Sequence, residues 1–313
     1  MKIHTNIENF VANKPVVTIG TFDGLHLGHQ KVLSRLIDFA RQRNGESVVF
    51  TFYPHPRLIT APGETNLRLL TTLEEKKKLF ARSGIDHLII FPFTKEFSQL
   101  TYSEFVEQIL VNKMHTHCLV VGYDHRFGKN REGGFEYLQG CAAKFGFEIE
   151  KLEVLLVDES HVSSTRIRKA LEEGKIEQAN KFLGYRFTLQ GTVVEGQRVG
   201  RKLGFPTANI EASDPNKLIP GYGVYAVEVL VAGKEYKGML NIGSRPTFNK
   251  NADNRSIEVH IFDFSGDIYN QEITLIFVGK IRNEHKFSGV EALTEQLKKD
   301  KVAALKVLSD EAI

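Results

Sequence analysis

The sequence predicts two domains of different classes: an α/β domain with a parallel sheet, then a small antiparallel β-barrel with a C-terminal helix. At 313 residues the chain is longer than one hydrophobic core usually serves. Short apolar runs alternate with amphipathic segments in the first half, whereas strand-like runs dominate from about residue 187. We place the boundary where this pattern changes and predict domains over 1–183 and 184–313.

The first half contains continuous apolar runs, which are typical of strands buried on both faces. Amphipathic segments of helical length separate these runs, so we expect parallel strands joined by right-handed crossovers. The predicted strands cover 15–20, 47–53, 87–92, 118–122 and 151–157. The predicted helices cover 27–43, 72–83, 102–114, 134–145, 164–173 and 175–182.

The second half is composed mainly of strand-like runs, which predict a compact antiparallel barrel. These runs cover 186–194, 223–243, 256–264 and 272–282. The second run is long enough for two strands, and Ala232-Gly233-Lys234 is the expected hairpin turn between them. An amphipathic helix over 288–308 should pack on the barrel.

The composition is that of a globular protein, with 42% hydrophobic and 25% charged residues. The N-terminal residues lack the apolar core of a signal peptide, and no run is long enough to cross a bilayer. We therefore expect a cytoplasmic protein that does not bind membranes. The two cysteines, Cys118 and Cys141, are expected to be reduced thiols rather than a disulfide.

The charge is nearly balanced, with a net value of +3. Residues 1–186 carry 25 Lys and Arg against 22 Asp and Glu, and residues 187–313 carry 16 against 16. This balance argues against a nucleic-acid-binding module but allows phosphate sites, which need only a few donors. The expected partners are small molecules, and weak self-association stays open.

Two histidines follow the first long apolar run, in the stretch TIGTFDGLHLGH over 18–29. Ligands bind at the carboxyl ends of strands in a doubly wound sheet, and this loop leads into a helix N-terminus, which attracts anions. His26 and His29 should face the same side of the first helical turn, with Gly28 letting the backbone approach a ligand. The alternatives are histidines that cap the helix or pack in the core, or half of a metal site. Zinc is disfavoured because no further ligands with suitable spacing lie nearby.

The pattern G-x-F-D-G-x-H-x-G-H resembles the H-x-G-H nucleotidyltransferase superfamily, whose members move an adenylyl group from ATP and have a Rossmann-like fold. Within that superfamily, GTFDGLHLGH is similar to the N-terminal module of bacterial FAD synthetases. The resemblance implies a catalytic role for His26 and His29, and an ATP site that includes Gly20, Phe22 and Gly28.

Three further stretches match this family in its order along the chain. PHP at 54–56 implies that His55 lies over the ATP phosphates, and VGYDHRFG at 121–128 implies flavin contacts by Asp124 and Phe127. SSTRIRKAL at 163–171 resembles the segment that binds the triphosphate opposite the histidines, which implies the ligands Ser164, Thr165 and Arg166. Without the resemblance, this last stretch is equally a well-capped helix.

A glycine-rich stretch, GQRVGRKLGFPTANI over 196–210, opens the barrel sequence. Its spacing fits neither a Walker A loop nor a dinucleotide-binding fingerprint. Thr207 and Asn209 share one face of an extended chain, and hard oxygen ligands beside phosphates suit Mg²⁺. The stretch is similar to the G-x-x-x-G-F-P-T-A-N signature of riboflavin kinases. The resemblance implies that Gly200, Gly204, Thr207 and Asn209 bind ATP, with Thr207 and Asn209 as ligands of its Mg²⁺.

Two later stretches also resemble the riboflavin kinases. SIEVHIFDF at 256–264 implies that Glu258 is the catalytic base, and IRNEHKF at 281–287 implies flavin contacts by Arg282 and Glu284. Considered alone, Glu258 is equally a solvent-facing strand residue, since it alternates with apolar neighbours. A carboxylate base suits the chemistry, because a neutral ribityl hydroxyl must lose its proton as it attacks phosphorus.

The resemblance as a whole implies a bifunctional enzyme of FAD biosynthesis. The barrel would convert riboflavin and ATP to FMN and ADP, and the α/β domain would convert FMN and ATP to FAD and pyrophosphate. One rival is an adenylyltransferase for pantetheine phosphate or nicotinate mononucleotide with an appended barrel, which the stretch 200–209 weighs against. Another is an RNA-binding relative of class I aminoacyl-tRNA synthetases, expected to carry a K-M-S-K-S-type loop where this chain has SSTRIR over 163–168.

Overall fold

The structure, a computed structural model, divides into two compact units, Met1–Ser164 and Thr165–Ile313. It describes residues 1–61, 67–122, 134–153, 156–157, 160–196, 200, 203–244 and 255–310. The helices between residues 164 and 183 are grouped with the second unit, whereas the predicted domains 1–183 and 184–313 assign them to the first.

A six-stranded parallel sheet forms the centre of the first unit, with the order β1-β4-β3-β2-β5-β6. The strands are β1 (Lys2–His4), β2 (Val16–Ile19), β3 (Ser47–Tyr53), β4 (His87–Pro92), β5 (Cys118–Val121) and β6 (Glu148–Lys151). The chain progresses from β2 to β4 in one direction and then returns to place β5 on the other side of β2. The predicted α/β class with a parallel sheet is confirmed.

Helices cover both faces of this sheet. They are α1 (Leu27–Gln42), α2 (Pro56–Thr60), α3 (Leu73–Ser83), α4 (Tyr102–Phe105) and α5 (Phe135–Phe145). Successive residues of β2 enter different cores, Val17 with Leu110 and Leu138 on one face, and Val16 with Leu36 on the other. The strands are apolar at nearly every position because both faces are buried.

The predicted helix over 102–114 differs in its geometry. Its first turn is α4, and the chain then continues as a wider π-helical stretch over Val106–Val111. The buried side chains Val106, Ile109 and Leu110 keep it packed in the core.

The predicted strand over 151–157 is wrong. The sheet strand there is β6, whereas Leu156–Val157 (β7) pairs with Ser160–His161 (β8) in a separate antiparallel ribbon. β6 has the sequence EIEK and lies at the sheet edge, where it pairs with β5 alone. An edge strand need not be apolar on both faces, so it lacks the continuous run that identified the inner strands. The three-residue edge strand β1 was omitted from the prediction for the same reason.

The second unit contains a closed antiparallel barrel, as predicted. Its order is β10-β13-β12-β11-β14-β9, and β9 pairs back with β10. The strands are β9 (Thr188–Val194), β10 (Ala208–Ala212), β11 (Gly223–Val231), β12 (Lys234–Ser244), β13 (Arg255–Ile261) and β14 (Glu272–Arg282). The hairpin between β11 and β12 is confirmed, because Ala232 and Gly233 both have positive φ values, 46° and 80°.

Three helices accompany the barrel: α6 (Ser164–Glu172), α7 (Ile176–Leu183) and α8 (Val290–Asp310). Asn180 of α7 accepts a hydrogen bond from the Phe187 N–H at 2.8 Å and donates one to the Phe277 carbonyl at 2.9 Å. Ala304 and Leu308 of α8 pack into an apolar cluster with strand residues of the barrel. The predicted helix over 288–308 is therefore confirmed, displaced by two residues.

Cys118 and Cys141 are both buried and unpaired with each other, as predicted. Burial raises the pKa of the Cys118 thiol to about 11, so this thiol stays protonated at neutral pH. Among the helices of the described ranges, none is long and apolar enough to cross a membrane.

The packing of α1 yields a first prediction. Leu36 is fully buried at 0% exposure, so Leu36→Ala should lower the free energy of unfolding of the first unit by about 2–5 kcal/mol. Urea unfolding followed by circular dichroism would measure the change. Lys31→Ala, at an exposed position of the same helix, is the matched control and should change stability by less than about 0.5 kcal/mol. Equal effects of the two substitutions would contradict this packing.

Candidate active sites

The loop from residue 20 to residue 26 lies at the topological switch point of the parallel sheet. It leaves the carboxyl end of β2, whose neighbours are β3 on one side and β5 on the other. Loops diverge at such a point and leave a crevice outside the strand ends, which is where open α/β sheets bind ligands. The stretch with the two histidines therefore occupies the expected ligand-binding position.

His26 and His29 form a stacked pair at the start of α1. Their ring centroids lie 3.6 Å apart with an interplanar angle of 16°. His26 is the N-cap residue, and its Nδ1 accepts a hydrogen bond from the His29 backbone N–H at 3.3 Å. The helix-capping alternative is thus correct for His26, and it does not oppose ligand binding, since the other N–H groups of the first turn stay available to an anion.

The His29 imidazole is held in its neutral form. Burial, followed by the nearby charges of His26 and Lys76, lowers its pKa well below the usual value. Its Nδ1 is buried and has no hydrogen-bond partner within the described residues. A buried polar atom without a partner is unusual in folded proteins, and a bound group would supply one.

Asp23 anchors this loop, although the sequence prediction did not select it. Asp23 is 2% exposed, and its carboxylate accepts hydrogen bonds from the backbone N–H groups of Leu70 and Thr71 at 3.0–3.1 Å. The Thr71 hydroxyl donates to the same carboxylate at 3.2 Å. On its other side, the Asp23 carbonyl accepts from the Ser164 hydroxyl at 2.9 Å. The loop is therefore fixed to two other segments of the chain.

The glycines and Phe22 shape the loop around the histidines. Phe22 is buried, with its ring 5.1 Å from that of His29 and 5.6 Å from that of Phe80. A Cβ atom on Gly28 would lie 3.2 Å from two atoms of the His26 ring. A Cβ on Gly20 would lie 3.0 Å from the ring of Phe22. Both glycines therefore leave room for aromatic rings of the loop itself.

The other predicted residues of the adenylyl site have more varied positions. His55 follows β3 and is the N-cap residue of α2, where its Nδ1 accepts from the Arg57 N–H at 3.2 Å. Ser164 begins α6 and contacts the histidine loop through Asp23. Thr165 and Arg166 are exposed in the first turn of α6. Asp124 and Phe127 lie outside the described residues.

A cavity of about 300 Å³ lies in the wall of the barrel unit. Five of the predicted kinase residues line it: Gly200, Thr207, Glu258, Arg282 and Glu284. Its size is at the lower end of small-molecule sites, which span roughly 300–1,000 Å³. The structure thus brings together predicted residues from three separate stretches of sequence, while Gly204 and Asn209 lie outside the lining.

Glu258 is held between asparagines by the strand register. It is directly opposite Asn209 of β10 and Asn241 of β12, so the three side chains share one face of the sheet. The Thr207 hydroxyl lies 3.4 Å from its Oε2. The carboxylate is partly buried and reaches the cavity, which is the environment that a base acting on a bound hydroxyl requires.

Close packing explains two of the glycines near Glu258. A Cβ on Gly200 would come within 2.2 Å of the Phe205 carbonyl oxygen, so only glycine allows this approach. A Cβ on Gly196 would come within 2.0 Å of the Asn209 amide nitrogen. Gly204 has a φ of 77°, which glycine adopts without strain.

Arg282 is engaged by a buried carboxylate that the sequence prediction omitted. Asp300 of α8 is 1% exposed and accepts from Arg282 Nε and Nη2 at 2.9 and 2.7 Å. Gln296 donates to the same carboxylate at 2.8 Å. The Arg282 guanidinium, which was predicted to contact flavin, is thus oriented by residues of α8. Arg282 and Asp300 both line the cavity.

His260 is a second omitted residue of the cavity wall. Its Nδ1 lies 2.8 Å from the Pro206 carbonyl, so the ring is tied to the GFPTAN stretch. Burial is the main cause that lowers its pKa. His260 is two residues after Glu258 and therefore on the same face of β13.

Helical spacing could have identified two residues that the sequence prediction omitted, Asp300 and Lys76, the second of which acts on the pKa of His29. Lys76 lies three residues after Leu73 and four before Phe80, on the buried face of α3. Asp300 lies in the same way three residues after Leu297 and four before Ala304. A charged residue on the apolar face of a helix needs a buried partner, which marks it for attention.

The helix start with two histidines at the switch point and the carboxylate-lined cavity of the barrel are two candidate sites, one in each unit, as expected of a transferase with two activities. A family model described as FAD synthetase matches residues 9–166, and one described as riboflavin kinase matches residues 183–308. The chain belongs to the bifunctional riboflavin kinase/FMN adenylyltransferase family.

Two curated relatives with that name illustrate the extent of the similarity. The protein of Listeria monocytogenes is 40% identical over 288 residues, which cover 91% of this chain and 90% of the relative. The protein of Escherichia coli K12 is 38% identical over 290 residues, which cover 92% and 91%.

A solved structure is similar over both units. It is described as a macrolide-efflux protein from Streptococcus pneumoniae and is 30% identical to this chain, with a TM-score of 0.87. The match covers 97% of this chain and 98% of the other.

The lowered pKa of His29 gives a prediction for the free and ATP-bound protein. In the free protein, NMR titration should place the His29 midpoint below the ordinary value of about 6.5. ATP should raise the midpoint, because phosphate charge next to the ring favours the imidazolium form. Since a lowered folded-state pKa means that unfolding takes up a proton, this residue should reduce stability as the pH falls below about 6.5. A midpoint at or above that value in the free protein would contradict the geometry.

Proposed function

We propose that the barrel unit phosphorylates riboflavin with ATP to give FMN, and that the parallel-sheet unit adenylylates FMN with a second ATP to give FAD and pyrophosphate. The observation that carries the proposal is that one chain matches both family models, and that each match contains the corresponding residues. His26 and His29 lie in the first match, and Glu258 lies in the second.

For adenylyl transfer, the FMN phosphate is the nucleophile. It is largely dianionic at neutral pH and attacks the α-phosphorus of ATP without needing a base. The protein has to hold two anions in line and stabilise the charge that develops between them. His26, His29 and the N-terminus of α1 supply hydrogen-bond donors and a positive dipole end for this purpose.

We assign supporting roles to the other predicted residues of this site. Ser164, Thr165 and Arg166 bind the triphosphate, and Gly20, Phe22 and Gly28 shape the loop that meets it. His55 contacts the phosphates, while Asp124 and Phe127 contact the flavin. The buried position of Phe22 between His29 and Phe80 supports a structural contribution to the ATP site.

For phosphorylation, the nucleophile is a neutral ribityl hydroxyl. Glu258 accepts its proton as the oxygen attacks the γ-phosphorus of ATP, and ADP leaves. Gly200 and Gly204 allow the backbone to approach the ATP phosphates, and Glu284 contacts the flavin. The bidentate bond to Asp300 supports a fixed orientation of the Arg282 guanidinium toward the same ligand.

We propose that Thr207 and Asn209 hold the Mg²⁺ that accompanies ATP in the barrel. Mg²⁺ usually keeps several waters and binds through few protein ligands together with substrate phosphates. Two uncharged oxygen ligands next to Glu258 fit that preference, and the metal would neutralise phosphate charge when bound. A cytoplasmic location and weak self-association stay predictions of the sequence.

The two rival functions differ in what they would consume. Pantetheine phosphate or nicotinate mononucleotide would replace FMN as the adenylyl acceptor, and an RNA-binding protein would use neither flavin. Incubating the pure protein with riboflavin, ATP and Mg²⁺ and separating the flavins by chromatography distinguishes them. Formation of neither FMN nor FAD would overturn the proposal.

The role of Glu258 gives a prediction about the first reaction. Glu258→Gln keeps the shape of the side chain but cannot accept a proton, so FMN formation should fall by about 100-fold or more. Conversion of added FMN to FAD should be unchanged. Glu211→Gln, at an exposed position of β10, is the control and should affect neither reaction. Normal phosphorylation by Glu258→Gln would exclude the assigned base.

The histidine pair gives the opposite prediction. In the double variant His26→Asn and His29→Asn, FAD formation should fall by about 100-fold or more, whereas FMN formation should continue. Asparagine is a good N-cap residue, so α1 should keep its start. His115→Asn, at an exposed position, is the control. Loss of both reactions in a folded double variant would contradict the assignment of one reaction to each unit.

A further inference from the structure

A buried lysine near the histidine loop has no role in the chemistry described so far. Lys76 of α3 is 7% exposed, and its Nζ donates to the Thr21 carbonyl at 2.8 Å. Lysine is rarely buried, because removing an ammonium group from water is costly. Burial lowers the pKa of Lys76, and the charge of Asp23 opposes this effect. A charge retained at such a cost needs a functional explanation.

The contacts of α3 show that it supports the loop along its length. The residues just before the helix hold the Asp23 carboxylate. Lys76, in the first turn, holds the carbonyl of Thr21. One turn later, Phe80 packs against Phe22 with ring centroids 5.6 Å apart. Lys76 is thus the only charged group among these three successive supports in the described structure.

The same lysine acts electrostatically on His29. Lys76 and His26 are the charged or titratable neighbours that lower the His29 pKa, after the effect of burial. Asp23 is the acidic group nearby, and its carboxylate is already satisfied by donors from Leu70 and Thr71. A positive charge in this partly dry environment acts over a longer range than one at the surface.

We propose that Lys76 is a positioning residue for adenylyl transfer: its hydrogen bond fixes the Thr21 carbonyl of the histidine loop, and its buried charge attracts the ATP phosphates to this loop. The inference rests on the adenylyl-transfer function proposed above. A neutral His29 donates one hydrogen bond without repelling Lys76. Once the phosphates bind, their negative charge offsets that of Lys76 and the ring can take a proton.

Three substitutions separate the charge from the hydrogen bond. Lys76→Met removes both and keeps the length of the side chain. Lys76→Gln keeps a donor but removes the charge, and Lys76→Arg keeps the charge. Lys78→Met, at an exposed position of the same helix, is the matched control. Each full-length variant is assayed for FMN formation, for FAD formation from added FMN, and for the His29 midpoint by NMR titration.

We expect Lys76→Met and Lys76→Gln to lower kcat/KM for ATP in FAD formation by about 10-fold to 100-fold, the range for lost interactions of a charged group. Both should raise the His29 midpoint, a change that a purely structural role would not produce. Lys76→Arg should keep the low midpoint and restore part of the activity. FMN formation and the Lys78→Met variant should match the wild type.

Two results would overturn the inference. One is FAD formation within twofold of wild type in Lys76→Gln, which would show that the charge is dispensable. The other is a lost activity with an unchanged His29 midpoint, which would leave Lys76 only a structural role. If Lys76→Met fails to fold, the Gln and Arg variants still decide between these outcomes. Absence of FAD formation by the wild type would instead refute the proposed function itself.

Discussion

The buried carboxylate of Asp23 is the interaction on which the first site depends. Its hydrogen bonds to Leu70 and Thr71 replace the water that a carboxylate would otherwise require. They also force the chain through a tight path, in which Phe22 and Leu25 have positive φ values of 47° and 35°. The loop then reaches α1 with His26 in the extended conformation of an N-cap. The positions of the two histidines therefore depend on Asp23, although its described hydrogen bonds join Leu70, Thr71 and Ser164.

The barrel positions its residues through strand pairing instead of loop anchoring. Glu258 lies opposite Asn209 and Asn241 because β13 pairs with β10 on one side and β12 on the other. A slip of one residue would turn the carboxylate to the other face of the sheet. Pairing with two neighbours prevents that slip. The two sites thus use different means to the same end, which is to hold polar side chains still before a ligand arrives.

The sequence alone identified the strands that are buried on both faces, because such strands form continuous apolar runs. Strands β3 and β4 were predicted with their observed ends, because their apolar runs stop where the sheet stops. The edge strands β1 and β6 have no such run, and β10 is five residues long with polar members, ANIEA. For these strands, pairing with a neighbour decides the structure, and pairing is a tertiary property that local pattern does not contain.

The residues of the two sites likewise divide into those that local sequence pattern predicts and those that only tertiary structure reveals. Motif residues such as Thr207 and Glu258 could be chosen because their chemistry and spacing are local. Their partners could not: the carboxylate that orients Arg282 lies 18 residues further along the chain, and the ammonium beside Thr21 lies 55 residues away. The charged residues on apolar helix faces could have indicated that buried partners exist, but only the fold identifies those partners.

The bond between Arg282 and Asp300 also bears on the order in which the protein can assemble during synthesis. Ribosomes deliver the chain from its N-terminus, and domains generally fold in that order. The anchors of the histidine loop lie early, between Asp23 and Lys76, with Ser164 the last of them. The cavity of the barrel lacks one wall until α8 has been made, since Asp300 lines it. The nascent polypeptide can therefore complete the histidine loop well before the pocket of the barrel. Under the proposed function, that pocket makes the flavin phosphate that this loop would use.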